Sequence, residues 1–227
     1  MMKARSMRFA SALLRLSLTA LTALTAAVCQ TAFANGSIKE ISVLSANGEP
    51  VPGVVVALEP LDQNADMAPA PGAMDQIDRQ FVPHILVVQR GAEVRFPNSD
   101  SIKHHVFSFS AARTFEIRLF DDSQEESLDF PRAGSVELGC NVHDWMLGYI
   151  YVADTPHFTR TNRQGIAELT VPDGDYRVRI WHPRIQDDER LLLGSLSRNS
   201  SNYIHRLKEP LLPNYEQESV GELQDYD

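Results

Sequence analysis

Residues 138–149 read LGCNVHDWMLGY and set a cysteine, a histidine and a methionine at intervals of three: Cys140, His143 and Met146. SVEL before it and YIYVAD after it both carry the alternation of a strand that buries one face. The stretch therefore reads as two strands joined by a short loop, with Cys140 at the end of the first. A cysteine so placed is half of a disulfide, a nucleophile beside its base, a metal ligand or an ordinary buried thiol.

Outward from this loop the period of two recurs. HILVVQRGAEVRF (84–96), HHVFSFS (104–110) and TFEIRLF (114–120) precede it, and TRTNRQGIAELTVPDGDYRVRIWHP (159–183) follows. Short alternating runs broken by Gly, Pro, Asn and Asp, with no stretch of helical period, predict an all-β fold, a sandwich or barrel. Residues 38–60 read as a strand, a turn at Asn47-Gly48 and a second strand from Val54 to Leu58. Residues 61–73 are rich in Ala, Pro and Asp and predict a linker. Residues 209–227 are acidic and without period, which predicts a loosely ordered tail.

The first 34 residues have another character. Lys3, Arg5, Arg8 and Arg15 precede an apolar run of 13 residues, and Ala32-Phe33-Ala34 supplies a small-residue cleavage site before Asn35. This is the layout of a secretory signal, too short for a typical membrane span, with an uncleaved anchor as the other reading. Its removal leaves 17 basic against 30 acidic residues, a net charge of −13 where the whole chain has −9. Such a surface repels nucleic acid and anionic lipid. It also removes Cys29, so Cys140 is left alone and an internal disulfide is excluded.

A nucleophile fares no better, because the chain has no nucleophile elbow or Gly-rich loop and no papain-like signature around Cys140. Metal remains. Cys140, His143 and Met146 offer a thiolate, an imidazole and a thioether, and FPNSDSIKHHV (96–106) adds His104 and His105 beside a strand. Two imidazoles and a thiolate with a weak methionine form the trigonal set that selects copper, whereas structural zinc wants four Cys or His. His84, His157, His182 and His205 have no ligand-spaced neighbours. Trp145 is expected over the loop, Trp181 in the core of the flanking strands, and Asp121, Asp122, Glu125 and Glu126 in a solvated acidic loop.

GAEVRFPNSDSIKHHV followed by FPRAGSVELGCNVHDWM resembles the cupredoxins, the plastocyanin and amicyanin family. The shared pattern is an aromatic ending a strand (Phe96), an asparagine two residues on (Asn98), and a histidine eight residues after the aromatic (His104). Cys140, His143 and Met146 follow with the short amicyanin-like gaps. More narrowly, residues 75–183 resemble exported proteins labelled methylamine-utilisation-like. SANGEPVPGVVVALEP and TNRQGIAELTVPDGDYRVRIWHP resemble the opening and closing halves of a carboxypeptidase-regulatory-like β-sandwich, with Val54 at a position that usually holds a small residue.

The resemblance implies a Greek-key cupredoxin β-sandwich over 74–154 and a second β-sandwich built from 35–60 and 155–208; tandem independent domains are the alternative. It implies one type 1 copper held by His104, Cys140, His143 and Met146. His105 stands where those families usually have asparagine. Spacing from Phe96 and Asn98 points to His104 as the ligand, while alternation with Phe107 and Phe109, if those face the core, points to His105. In the first case His105 would hydrogen-bond across the site. Asp144, a carboxylate beside His143, is expected to favour the oxidised metal and lower its potential. The implied role is a periplasmic, monomeric carrier of single electrons between redox partner proteins, not an enzyme. The alternative is a copper-binding or protein- or glycan-binding module that does not turn over electrons.

Overall fold

The computed structural model describes residues 36–62, 67–120, 125–188 and 191–214. The signal segment, Cys29, Asp121, Asp122 and residues 215–227 of the tail lie outside them. The described residues form seventeen strands and no helix, so the protein is all-β, and no helix among them is long and apolar enough to cross a membrane.

Two strands from before the linker, β1 (Gly36–Leu44) and β2 (Val55–Pro60), join five that follow residue 154. These are β13 (Phe158–Arg160), β14 (Ile166–Pro172), β15 (Tyr176–Trp181), β16 (Leu191–Leu196) and β17 (Asn202–Arg206). They make one sheet of order β14-β1-β17 and another of order β13-β2-β15-β16. Alternation sets the shared core: Ile41 and Val43 from β1, Ala167 and Leu169 from β14, Val56 and Leu58 from β2, Val178 and Ile180 from β15. Lys39 lies on the same face of β1 and is 1% exposed. Its ammonium donates to the carbonyls of Arg198 and Ser200 at 2.9 and 2.7 Å, which offsets the cost of leaving water. The Pro172–Tyr176 turn is tied by the Tyr176 hydroxyl, which donates to the Pro172 carbonyl at 2.6 Å.

Between β2 and β13 the chain builds a second set of sheets. It comprises β3 (Gly72–Ala73), β4 (Asp75–Ile77), β5 (Gln80–Val82), β6 (Ile85–Gln89), β7 (Glu93–Phe96), β8 (His104–Ser110), β9 (Arg113–Phe120), β10 (Glu126–Asp129), β11 (Gly134–Cys140) and β12 (Leu147–Ala153). Five pair in the order β6-β12-β11-β8-β9, three in the order β10-β7-β3, and β4 with β5 form a hairpin. Val88, Val94, Phe96, Val106, Phe130, Leu138 and Ile150 fill one core between them. Every named strand from β3 to β12 pairs within this set, and the remaining seven pair with one another.

The two sets meet through a third cluster, in which Val55, Ala57 and Trp181 pack on Ile85, Tyr149, Tyr151 and Ala153. This corrects the expectation for Trp181. Ile180 faces the core of its own sandwich, while Trp181 turns to the other face and stacks on Tyr151, ring centroids 5.1 Å apart and 26° between planes. It also explains why VVVAL (54–58) is continuously apolar: β2 is buried on both faces. Residues 209–214, placed in the tail by the sequence, are held. Arg184 and Leu212 exchange hydrogen bonds of 2.8 and 2.6 Å, and the buried Asp187 carboxylate accepts the amides of Lys208 and Glu209.

Candidate metal centre

His104 opens β8, and the period of two decides which of its neighbours turn inward. His104, Val106 and Ser108 are buried, while Phe109 on the opposite face is 82% exposed. The premise that Phe107 and Phe109 face the core is therefore wrong, and His104 rather than His105 enters the site. β11 lies antiparallel to β8 with Cys140 opposite Val106, which brings the end of one strand beside the start of the other. Gly139 permits this approach, since a Cβ there would stand 2.6 Å from the Phe107 ring.

The result is a cluster. His104 Nδ1 lies 3.8 Å from Cys140 Sγ. His143, on the loop after β11, has its ring centroid 5.3 Å from that of His104. One ligand atom from each of His104, Cys140 and His143 falls within 4.8 Å of the others. Met146 is buried in the same core as Cys140, and its amide donates to the His143 carbonyl at 3.1 Å, closing the loop into a turn. Trp145 is 42% exposed with its ring 5.1 Å from His143, so it packs against the loop as expected but stays in contact with solvent.

The electrostatics favour ligand-ready forms. The Val142 amide donates to Cys140 Sγ at 3.4 Å. Partial burial, together with the neighbouring His104 and Arg79, holds His143 below the ordinary imidazole pKa against the opposing pull of Asp100. His104 Nε2 meets Asp100 Oδ2 at 2.7 Å. Asp100 also accepts the amides of Asp78 and Arg79 at 2.7 and 2.9 Å. Burial alone would raise the Asp100 pKa; hydrogen bonds from Arg79, His104 and Asp78 outweigh it and leave the carboxyl below its ordinary value.

One atom tests whether these residues fit a metal. His143 Nδ1 is buried and has no hydrogen-bond partner. Such an orphan costs about 1–3 kcal/mol unless something binds it. An ion bonded at roughly 2.0–2.3 Å to each donor spans the 3.8 Å between His104 Nδ1 and Cys140 Sγ. One thiolate and two imidazoles suit a thiophilic transition metal, and the set fits copper.

The remaining candidates lie elsewhere. His105 Nε2 stands 3.0 Å from Glu116 Oε1 on the outer face of β8, so it does not reach across the site. Asp144 is exposed. His84 sits edge-on to Tyr149 and His157 edge-on to Tyr176; His182 Nδ1 accepts the Arg184 amide; His205 stacks on Tyr203. Glu125 pairs with Arg95 at 2.7 Å. Sequence reasoning missed Asp100. Its signal was a carboxylate four residues before a candidate ligand, but the turn that holds it has no glycine to mark it.

No protein-family model and no curated protein matches the chain. Among solved structures it is similar to a Cu-containing nitrite reductase from Thermus scotoductus at 20% identity and a TM-score of 0.36, over 42% of this chain and 25% of that one. The chain thus spans about a quarter of that protein's length. It is similar also to a purple cupredoxin from Nitrosopumilus maritimus at 18% identity and TM-score 0.33, over 36% of this chain and 99% of that one. A reduced Cu(I) form of an amicyanin variant aligns at 21% identity and TM-score 0.34, over 43% of this chain and 98% of that one.

Proposed function

We propose that the protein is a cupredoxin-type electron carrier that holds one type 1 copper on His104, Cys140 and His143, with Met146 as the weak axial ligand. The observation that carries this reading is the His104–Cys140–His143 cluster with its orphaned Nδ1 on His143. Copper in such a set supplies a one-electron couple between its two oxidation states. Cys140, fixed at the end of β11, gives the thiolate. His104 is anchored at the head of β8, and His143, half-buried on its loop, offers the ring edge nearest solvent. Because each donor hangs from a packed strand or a closed turn, little of the protein has to rearrange when the charge at the site changes.

In this reading residues 1–34 are a signal, the mature chain works as a monomer in the periplasm, and redox proteins are its partners. Residues 74–154 form the copper module, inserted into the sandwich made by its flanks. Purified protein given Cu(II) should turn intensely blue or green and bleach reversibly with a mild reductant, and Cys140→Ser should abolish the colour.

A second reading, a copper-holding module that binds protein or glycan without electron turnover, draws on a cleft of about 1020 Å³ beside the loop. Trp145, Tyr149 and Asp144 line it from one sandwich, and Pro52, His182 and Arg184 from the other. Copper bound without colour would favour that reading and overturn the carrier.

A further inference from the structure

The hairpin β4–β5 stands outside both sheets of its sandwich, yet it is tied closely to one loop, residues 97–100. The Asp75 carboxylate accepts the amide of Ser99 at 3.1 Å and its hydroxyl at 2.8 Å. Gln76, with no exposed surface, donates from Nε2 to the Pro97 carbonyl at 2.8 Å, and its own carbonyl accepts the Ser99 amide at 3.0 Å. From the other side Asn98 accepts the Asp100 amide and donates to the Ile102 carbonyl. The loop is thereby fixed along its length.

At the hairpin tip Asp78 and Arg79 take φ values of 52° and 57°. Two successive left-handed residues make the turn that suits a two-residue hairpin, and glycine or asparagine usually occupies it. For residues with a Cβ this conformation costs about 1–2 kcal/mol each. What the tip gains is direction, for the two amides that follow one another there both donate to the Asp100 carboxylate. With His104 Nε2 as a third partner, Asp100 is surrounded by nitrogen donors, the setting of an ionised carboxylate, which can only accept. The proton shared with His104 then belongs to Nε2, and the Nδ1 lone pair faces Cys140 Sγ.

We propose that Asp100, clamped by the Asp78-Arg79 turn, is a positioning residue for the metal centre: it fixes His104 in the Nε2–H tautomer with Nδ1 aimed at Cys140, and it lends the site a nearly buried negative charge. The proposal rests on the copper reading. A carboxylate hydrogen-bonded to a ligand imidazole raises the basicity of that ligand and favours the more positive oxidation state. Asp100 therefore lowers the reduction potential and tightens Cu(II) binding.

The test uses the mature chain and three variants. In the metal-free protein, nitrogen-15 NMR of the imidazoles should show a single His104 tautomer protonated at Nε2, and Asp100→Ala should show a mixture. In the copper-loaded protein, Asp100→Asn should keep the thiolate-to-copper colour, raise the midpoint potential, and bind Cu(II) about 10- to 100-fold more weakly. Glu116→Gln removes the carboxylate partner of His105 on the outer face of β8, so it should leave tautomer and potential unchanged. If Asp100→Ala fails to fold, the nearly isosteric Asp100→Asn still carries the test. An unchanged potential in Asp100→Asn, or an unchanged tautomer in Asp100→Ala, overturns the proposal while the copper reading stands. A wild-type protein that takes up no Cu(II) overturns the copper reading instead, and the NMR result alone then decides the positioning role.

Discussion

His104 and His143 meet the same thiol but are held in different ways. His104 has no exposed surface, opens a strand of a five-stranded sheet, and has its outer nitrogen bound to a carboxylate that the β4–β5 tip clamps in turn. His143 is half-buried, sits on a six-residue loop between β11 and β12, and has a buried nitrogen with no partner. One imidazole belongs to the framework and the other to the edge. In the proposed carrier the first would set the geometry and charge of the site, and the second would face the redox partner.

The largest expected effect breaks the pair unequally. His104→Gly leaves the Asp100 carboxylate short of a donor next to a new cavity, so colour should vanish and thermal stability should fall by about 1–3 kcal/mol. His143→Gly should lose the colour too, but with the melting temperature nearly unchanged, and added imidazole should restore it by entering from solvent. Rescue of His104→Gly to the same extent would erase the distinction. Next in size, Gly139→Val forces a side chain into the Phe107 ring and should cost about 1–3 kcal/mol in denaturant melts, with a shifted absorption band as β8 moves against β11.

A smaller effect separates the two nearby carboxylates. Asp144→Asn should raise the midpoint potential, but by less than Asp100→Asn does, because Asp144 is exposed and water and salt screen its charge. A larger rise at Asp144 would mean that the edge, rather than the framework, sets the potential. The smallest effect is expected of His105→Ala. It removes a contact with Glu116 on the outer face and should spare both colour and potential.

These expectations depend on features that were unequally legible in the sequence. The all-β class followed from period-two runs, and the cluster from the spacing of Cys140, His143 and His104. The choice between adjacent histidines did not, because Phe107 and Phe109 mimic a core-facing alternation and only the structure shows Phe109 in solvent. Asp100 escaped because its partners come from a hairpin more than twenty residues earlier, whose tip lacks the glycine that marks such turns. The continuous apolar run of β2 signalled burial on both faces without saying against what; Tyr149 and Tyr151 lie about a hundred residues further along.

The pairing of β1 has a consequence for the order of assembly. Its antiparallel neighbour β14 and its parallel neighbour β17 both arrive more than 120 residues after it. A chain that emerges from its amino end thus exposes an alternating apolar strand with two open edges until almost everything else has been made. The strands between β3 and β12 find their partners among themselves and can settle while β1 still waits. Closure by β17 is the late, long-range and therefore slow event, and truncation before Asn202 should leave a molecule with its His104–Cys140–His143 cluster formed and a sticky edge at β1.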